Sequence, residues 1–440
     1  MSVKNYQIKL TTVGPVHIGS GNKHNKKDYY PKDEIISIID VAEFYKMLSA
    51  VQRDKYQDFL NTSSGMSLLG FLEANDLFNI AEKATSYKLS AKLQQNGNGI
   101  YTFVDVFEFI KDTYGYPYVP GSSVKGMLRT AILASAIIND RSEYEGLYHG
   151  YKRLDIKRRN TATDSIEKKL FERIPNNSKE PIDIMRYISV SDSKPLAIEA
   201  LAFVTKYDKF SLKDDGSHKI RGDSEGNQLN IYRECLKPGT VVELTLSIDD
   251  RINEYISIDG DKLRSMLRQF TELYKSSLLD FYITADDGLC QFIHPDGLQA
   301  GKRCQNRAIG DTGYCTDHKD NAQDKNNVNN KQILCYIGGG VGFTSKTVIN
   351  ALFNDDKRRV NEVSRFLYKQ HPTKLVKAKQ AALRKKVQKA GFKPEVGKKN
   401  DPRHWRDNEF GVSPHTLKMG KVDGELLQMG LCRIEITEIT

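Results

Sequence analysis

A chain of 440 residues with 39% hydrophobic side chains can bury more than one core and divides into about two or three domains. A formal charge of +10 favours a polyanionic partner. The opening Met1-Ser2-Val3-Lys4 carries no apolar signal region and the run 131–138 is too short to span a bilayer, which excludes a membrane protein and implies a soluble, cytoplasmic one. Six cysteines without a secretory signal fit metal ligands or buried thiols rather than a disulfide framework.

In chain order, Val3, Tyr6, Ile8 and Leu10 mark an alternating strand over 3–12, which runs into a glycine loop with His17, Gly19 and Gly21. A strand over 34–40 precedes a mostly helical stretch over 41–93, read as an insertion. Strands over 100–107 and 116–119 bring the chain back to the sheet. Pro120 and Gly121 then open an amphipathic helix, which Ser122 or Ser123 can cap. Val124, Leu128, Ala131 and Ile132 share its core face, and Lys125 and Arg129 lie together on another. A helix start of this kind presents free amides and a positive dipole end, so it suits a phosphate. The competing reading is an ordinary turn with two solvated basic residues.

A charged connector over 139–180 holds a helix at 163–173. A second sheet follows, with strands over 187–191, 197–205 and 241–248 and a polar loop at 214–227. Helix 261–283 backs that sheet. After the apolar run 333–337 come Gly338, Gly339, Gly340 and Gly342, then a helix over 344–353 that carries Lys346. This is no nucleotide P-loop, because Phe343 separates the last glycine from the hydroxyl and lysine residues. Residues 433–439 alternate as a final strand.

Two further segments carry chemistry. Cys290, Cys304, Cys315 and His318 fall in one glycine- and charge-rich stretch over about 286–330, with donor types suited to tetrahedral structural zinc. The alternative is surface thiols. Residues 357–406 hold 17 Lys and Arg against three acids, so the basicity of the chain sits in one helical insert over about 355–412. Such a helix can neutralise phosphates without reading sequence; otherwise it is a solvated arm.

The glycine loops, the Pro-Gly-Ser-Ser-Val-Lys-Gly helix start and the closing Leu417-Lys418-Met419-Gly420 and Met429-Gly430-Leu431 segments together resemble the RAMP superfamily of CRISPR RNA-binding proteins. Their order looks most like the type III-A (Csm) effector subunit that caps the 3′ end of the guide RNA. The resemblance implies an α+β fold of two ferredoxin-like (RRM-like) domains, at 1–180 and 181–440, the second interrupted by the zinc and basic inserts. It also implies a non-catalytic subunit with the crRNA as ligand, glycine loops along the RNA backbone, and Lys125, Arg129 and Lys346 on phosphates. Neighbouring RAMP backbone and small helical subunits are the implied partners, with host nucleases trimming the RNA end. Two rivals are an endoribonuclease that uses His17 as acid or base and a scaffold that recruits proteins.

Overall fold

The computed structural model describes residues 2–61, 65–91, 105–152, 162–175, 179–212, 218–221, 232–279, 282, 317, 333–370, 407 and 411–439. In Val3–Thr12, Tyr6, Ile8, Leu10 and Thr12 are buried and alternate with exposed Asn5, Gln7 and Lys9, which gives the strand one dry face. It lies at the centre of a five-stranded sheet, between Val241–Asp249 and Leu431–Glu438, with Ile188–Val190 and Ile333–Tyr336 at the edges. All of these pairings are antiparallel. Register follows the apolar residues: Ile8 sits opposite Leu244 on one side and Ile436 on the other.

Helices Gly121–Asn139 and Gly260–Tyr274 pack on each other and on this dry face. The second starts where the Asp259 carboxylate accepts from the Lys262 amide at 2.8 Å, and it buries Leu263, Leu267, Phe270 and Tyr274. It passes into a π-helical turn, Lys275–Leu279. Apart from the Ile333–Tyr336 edge, the elements run strand, helix, strand, strand, helix, strand. The expected boundary at residue 180 does not separate sheets, because Val3–Thr12, from before it, lies between two strands from after it. The reason is physical: the apolar face of Val3–Thr12 finds its matching faces in Val241–Asp249 and Leu431–Glu438, far along the chain.

A second sheet runs in the order Glu425–Gln428, Thr416–Val422, Leu201–Leu212, Tyr232–Leu236, Val106–Phe109, Gly19–His24, and His218–Arg221 also pairs with Leu201–Leu212. The first glycine loop carries the chain from the first sheet to this one. A third sheet joins Tyr29–Lys32 and Ile35–Ile39, the latter within the strand expected at 34–40, to Thr85–Ser90 near the end of the segment expected to be mostly helical. Four helices there, Val41–Met47, Ala50–Asn61, Leu68–Asn75 and Phe78–Lys83, close on their own core of Tyr30, Phe44, Tyr56, Phe59 and Phe71.

Three local expectations need correction. Residues 116–119 form only an isolated bridge, Lys111 with Pro117. The loop expected at 214–227 includes the strand His218–Arg221. The helix expected at 344–353 is two 3-10 turns, Thr344–Lys346 and Ile349–Leu352. Thr347, Val348 and Ile349 are successive β-branched residues, and the Thr347 hydroxyl accepts from the Ile349 amide at 3.2 Å in place of a helical bond. Cys290, Cys304, Cys315 and His318, and most of the basic insert including residues 371–406, lie outside the described residues. Among the described residues no His, Cys, Asp and Glu group is arranged to hold a metal, and no helix is long and apolar enough to cross a membrane.

Candidate nucleic-acid interface

The two glycine loops meet at His17. The Gly339 amide donates to the His17 carbonyl at 2.6 Å, and the two residues form an isolated antiparallel bridge. Gly338 has φ +82°, and a Cβ there would fall on that same carbonyl oxygen. The His17 side chain is 5% exposed and packs edge-on to Phe109, with ring centroids 6.4 Å apart. Its Nδ1–H donates to the Glu234 carbonyl at 2.8 Å, which leaves Nε2 unprotonated, facing Gly19. Burial above all lowers its pKa from 6.5 to about 4, despite the bond to Glu234.

His17 is therefore a neutral clamp between loops, and its titration has a sign. An imidazole held neutral in the folded state takes up a proton on unfolding, so stability is full above pH 6.5 and falls as the pH drops toward 4. Between pH 7 and pH 5 the loss from this group is about 2 kcal/mol. Denaturant titrations of the parent and of His17→Asn at both pH values check this. The variant should lose about 2 kcal/mol less than the parent over that interval; equal losses would mean that His17 does not titrate as described.

Under the Gly338–Gly342 turn lies a basic face that sequence reading did not single out. Arg233 pairs with Val204 across the strands, and alternation puts Lys206, and Lys418 opposite Asp208, on that same face. Arg233 Nη1 is buried without a hydrogen-bond partner, 3.1 Å from where a Gly340 Cβ would sit, and its guanidinium lies 5.6 Å from the Phe107 ring centroid. The carboxylate beside these cations is Asp208, 2.9 Å from Lys418 and 3.9 Å from Lys206. Burial first, and Lys418 next, hold the Lys206 ammonium below the usual lysine pKa; burial does the same to Arg233. A desolvated guanidinium with an unused N–H, flanked by lysines under a backbone that lacks side chains, is suited to a phosphate oxygen. The signal was weak in sequence: Lys206 and Asp208 interrupt an apolar strand, and Arg233 sits in a short one without a motif.

The other candidates are divided. Gly19 and Gly21 lie on Gly19–His24, Gly19 against the His17 ring, and a Cβ at Gly342 would meet the Lys418 stem. Lys346 is exposed in its 3-10 turn. Gly121 begins its helix, but Pro120, not Ser122 or Ser123, is the N-cap, and the Ser123 amide bonds the Pro120 carbonyl at 3.0 Å. The Gly121 amide donates to the Asp192 carboxylate at 2.8 Å, so the protein's own anion already occupies this helix start. A Cβ at Gly121 would overlap the Val190 carbonyl, so the glycine serves close packing. Arg129 is likewise committed. It bonds Glu167 at 3.2 Å and Asp183 at 2.7 Å and lies 4.0 Å above the Phe171 ring. Its charge is thus shared with two carboxylates distant in sequence. Lys125, one helical turn before it, is half-buried.

Behind His17 lies a buried ionic cluster. Glu234 is fully buried; its carboxylate accepts from Tyr87 Oη at 2.6 Å, the Phe109 amide at 2.9 Å and Lys111 Nζ at 2.6 Å. Burial, then the Glu234 charge, pushes the Tyr87 phenol far above its usual pKa. The cluster ties the second sheet to the helical insertion through Tyr87.

Comparison with known proteins agrees with this architecture. Two relatives, both described as "CRISPR system Cms protein Csm5", come from Streptococcus thermophilus, 26% identical over 293 residues (64% of this chain, 75% of the relative), and Mycobacterium tuberculosis, 22% identical over 451 residues (99% and 98%). A chain in the cryo-EM structure of a "Csm-crRNA-target RNA ternary complex in type III-A CRISPR-Cas system" shares the fold at a TM-score of 0.56 and 17% identity, covering 98% of this chain and 100% of that one. The family model for the RAMP superfamily matches residues 9–362, which take in both glycine loops, and the chain belongs to that superfamily.

Proposed function

We propose that this chain is a non-catalytic CRISPR RNA-binding subunit of a type III-A (Csm) effector complex, which caps the 3′ end of the crRNA and supports its maturation and the assembly of the complex. The observation that carries this reading is the buried Arg233 Nη1 without a hydrogen-bond partner, beside Lys206 and Lys418 where the two glycine loops join. The names of the relatives and the fold shared with a chain of a crRNA-bound complex support it. The element order and antiparallel pairing of the five-stranded sheet support a ferredoxin-like unit. Burial of His17, held neutral with Nδ1 committed to a carbonyl, supports a subunit that positions RNA rather than cutting it.

In this reading the backbone of the RNA lies along the glycine loops, with phosphates on Arg233, Lys206 and Lys418, and further contacts from Lys125 and Lys346. Contacts to phosphate alone suit a guide whose sequence varies. The helical insertion offers a surface to neighbouring RAMP and small helical subunits, and the trimming nucleases act at the RNA end it leaves accessible. A structural zinc on Cys290, Cys304, Cys315 and His318 belongs to the same proposal and rests on donor type and spacing.

The test is binding of a labelled single-stranded RNA across a salt series. Arg233→Gln with Lys206→Gln should weaken binding about tenfold or more and flatten the plot of log Kd against log salt by about 1.4, at roughly 0.7 per lost phosphate contact. An unchanged slope would remove the RNA from this face.

A further inference from the structure

We propose that the cleft between the Gly19–His24 strand and the turn at residues 112–116 takes a nucleobase turned out of a single-stranded RNA, with Tyr114 and Tyr116 as its stacking surface. The inference rests on the RNA-binding reading above and adds a site for the base to the phosphate contacts. Tyr114 is 85% exposed and Tyr116 51%. They are not on a loose loop. The Asp112 carboxylate accepts from the amides of both Tyr114 and Tyr116 at 2.9 Å, the Asp112 amide donates to the Tyr116 carbonyl at 2.8 Å, and Lys111 and Pro117 close the turn as a bridge. Two phenol rings are thus held out in water by a turn that is already ordered, so a flat apolar partner can cover them at little entropic cost.

The cleft beside them has a volume of about 530 Å3 and is lined also by Ser20, Asn22, Ser86 and Glu108. That volume lies within the range of roughly 300–1,000 Å3 typical of small-ligand sites. Its charge selects which part of a nucleotide enters. Lys111 is already bonded to Glu234, while Glu108 and Asp112 face the cleft, so a phosphate is repelled. Burial favours a protonated Glu108, but Lys111, Ser20 and His24 outweigh it and keep the carboxylate ionised. A carboxylate, two hydroxyls and an amide match the N–H donors and acceptors on a base edge. Bases splayed from a single strand and stacked on aromatic side chains are a general mode of RNA recognition. Position agrees as well. Ser20 lines the cleft and belongs to the strand that follows His17, so a backbone laid along that strand would pass the mouth of the cleft.

The experiment uses the full-length protein and a set of labelled single-stranded RNAs, each with one abasic nucleotide at a different position. For the parent, one abasic position should weaken binding about tenfold. Tyr114→Ala with Tyr116→Ala should weaken binding of intact RNA about tenfold, lose nothing further at that abasic position, and leave the salt slope unchanged. Tyr114→Phe with Tyr116→Phe should bind as the parent does. If the parent binds RNA but all abasic RNAs bind alike, or the alanine variant keeps parental affinity, the base site is overturned while the RNA-binding reading stands. Unchanged RNA affinity with lost association to other subunits of the complex would give the tyrosines to a protein surface, again overturning the site. A parent that binds no RNA would overturn both.

Discussion

Glu234→Ala is expected to destabilise the protein by about 3–5 kcal/mol, the range for removing one partner of a buried ion pair. Alanine would leave the Phe109 amide and the Tyr87 hydroxyl without their acceptor and strand the Lys111 ammonium, whose side chain is 7% exposed, in a site built around a carboxylate. Glu108, at 3.3 Å from Lys111, is a partial substitute only. Urea unfolding should show a lower midpoint with an unchanged slope. Glu234→Leu combined with Lys111→Met should recover much of the loss, because an apolar pair replaces a buried ionic one with little penalty. A single variant within about 0.5 kcal/mol of the parent would show that the cluster is not structural.

Gly338→Ala should have the next largest effect, and it reaches function through geometry. The residue sits at φ +82°, where an alanine is strained by about 1–2 kcal/mol. The added methyl would also strike the His17 carbonyl, the acceptor that joins the two loops. Neither atom can yield without breaking the Gly339 to His17 bond, so the turn must lift from the basic face. A stability loss above about 2 kcal/mol and RNA binding weakened about tenfold are expected together. Gly21→Ala is the control: φ is +96° there, but nothing lies within 4 Å of the new Cβ, so only the backbone strain remains. If both variants behave alike, the loop junction is not what positions the RNA.

How far the sequence revealed this depends on how local the cause is. Val3–Thr12, Val241–Asp249 and Leu431–Glu438 announce themselves by alternation, because one face of each is dry. The junction of the glycine loops was legible as two separate loops; their contact was not, since nothing near His17 names Gly339. The ion pairs of Arg129 were hidden for the same reason, its carboxylates lying at Glu167 and Asp183. Arg233 went unseen because its meaning comes from Gly340, Lys206 and Lys418, which only the sheet brings beside it. The partition at residue 180 failed on a long-range pairing, since composition marks a charged connector there but cannot show that strands on either side of it share hydrogen bonds.

The central position of Val3–Thr12 bears on how the chain is made. Tyr6 pairs with both Leu246 and Glu438, so Val3–Thr12 finds its second neighbour only when Leu431–Glu438 has emerged from the ribosome. Until then a strand with an apolar face keeps one edge open, the side that Leu431–Glu438 covers, the kind of segment that pairs wrongly or recruits chaperones. Closure of the first sheet is thus limited by a contact of high sequence separation. A product that stops before Leu431–Glu438 leaves one edge of Val3–Thr12 uncovered, so the sheet closes only on a chain that includes that strand.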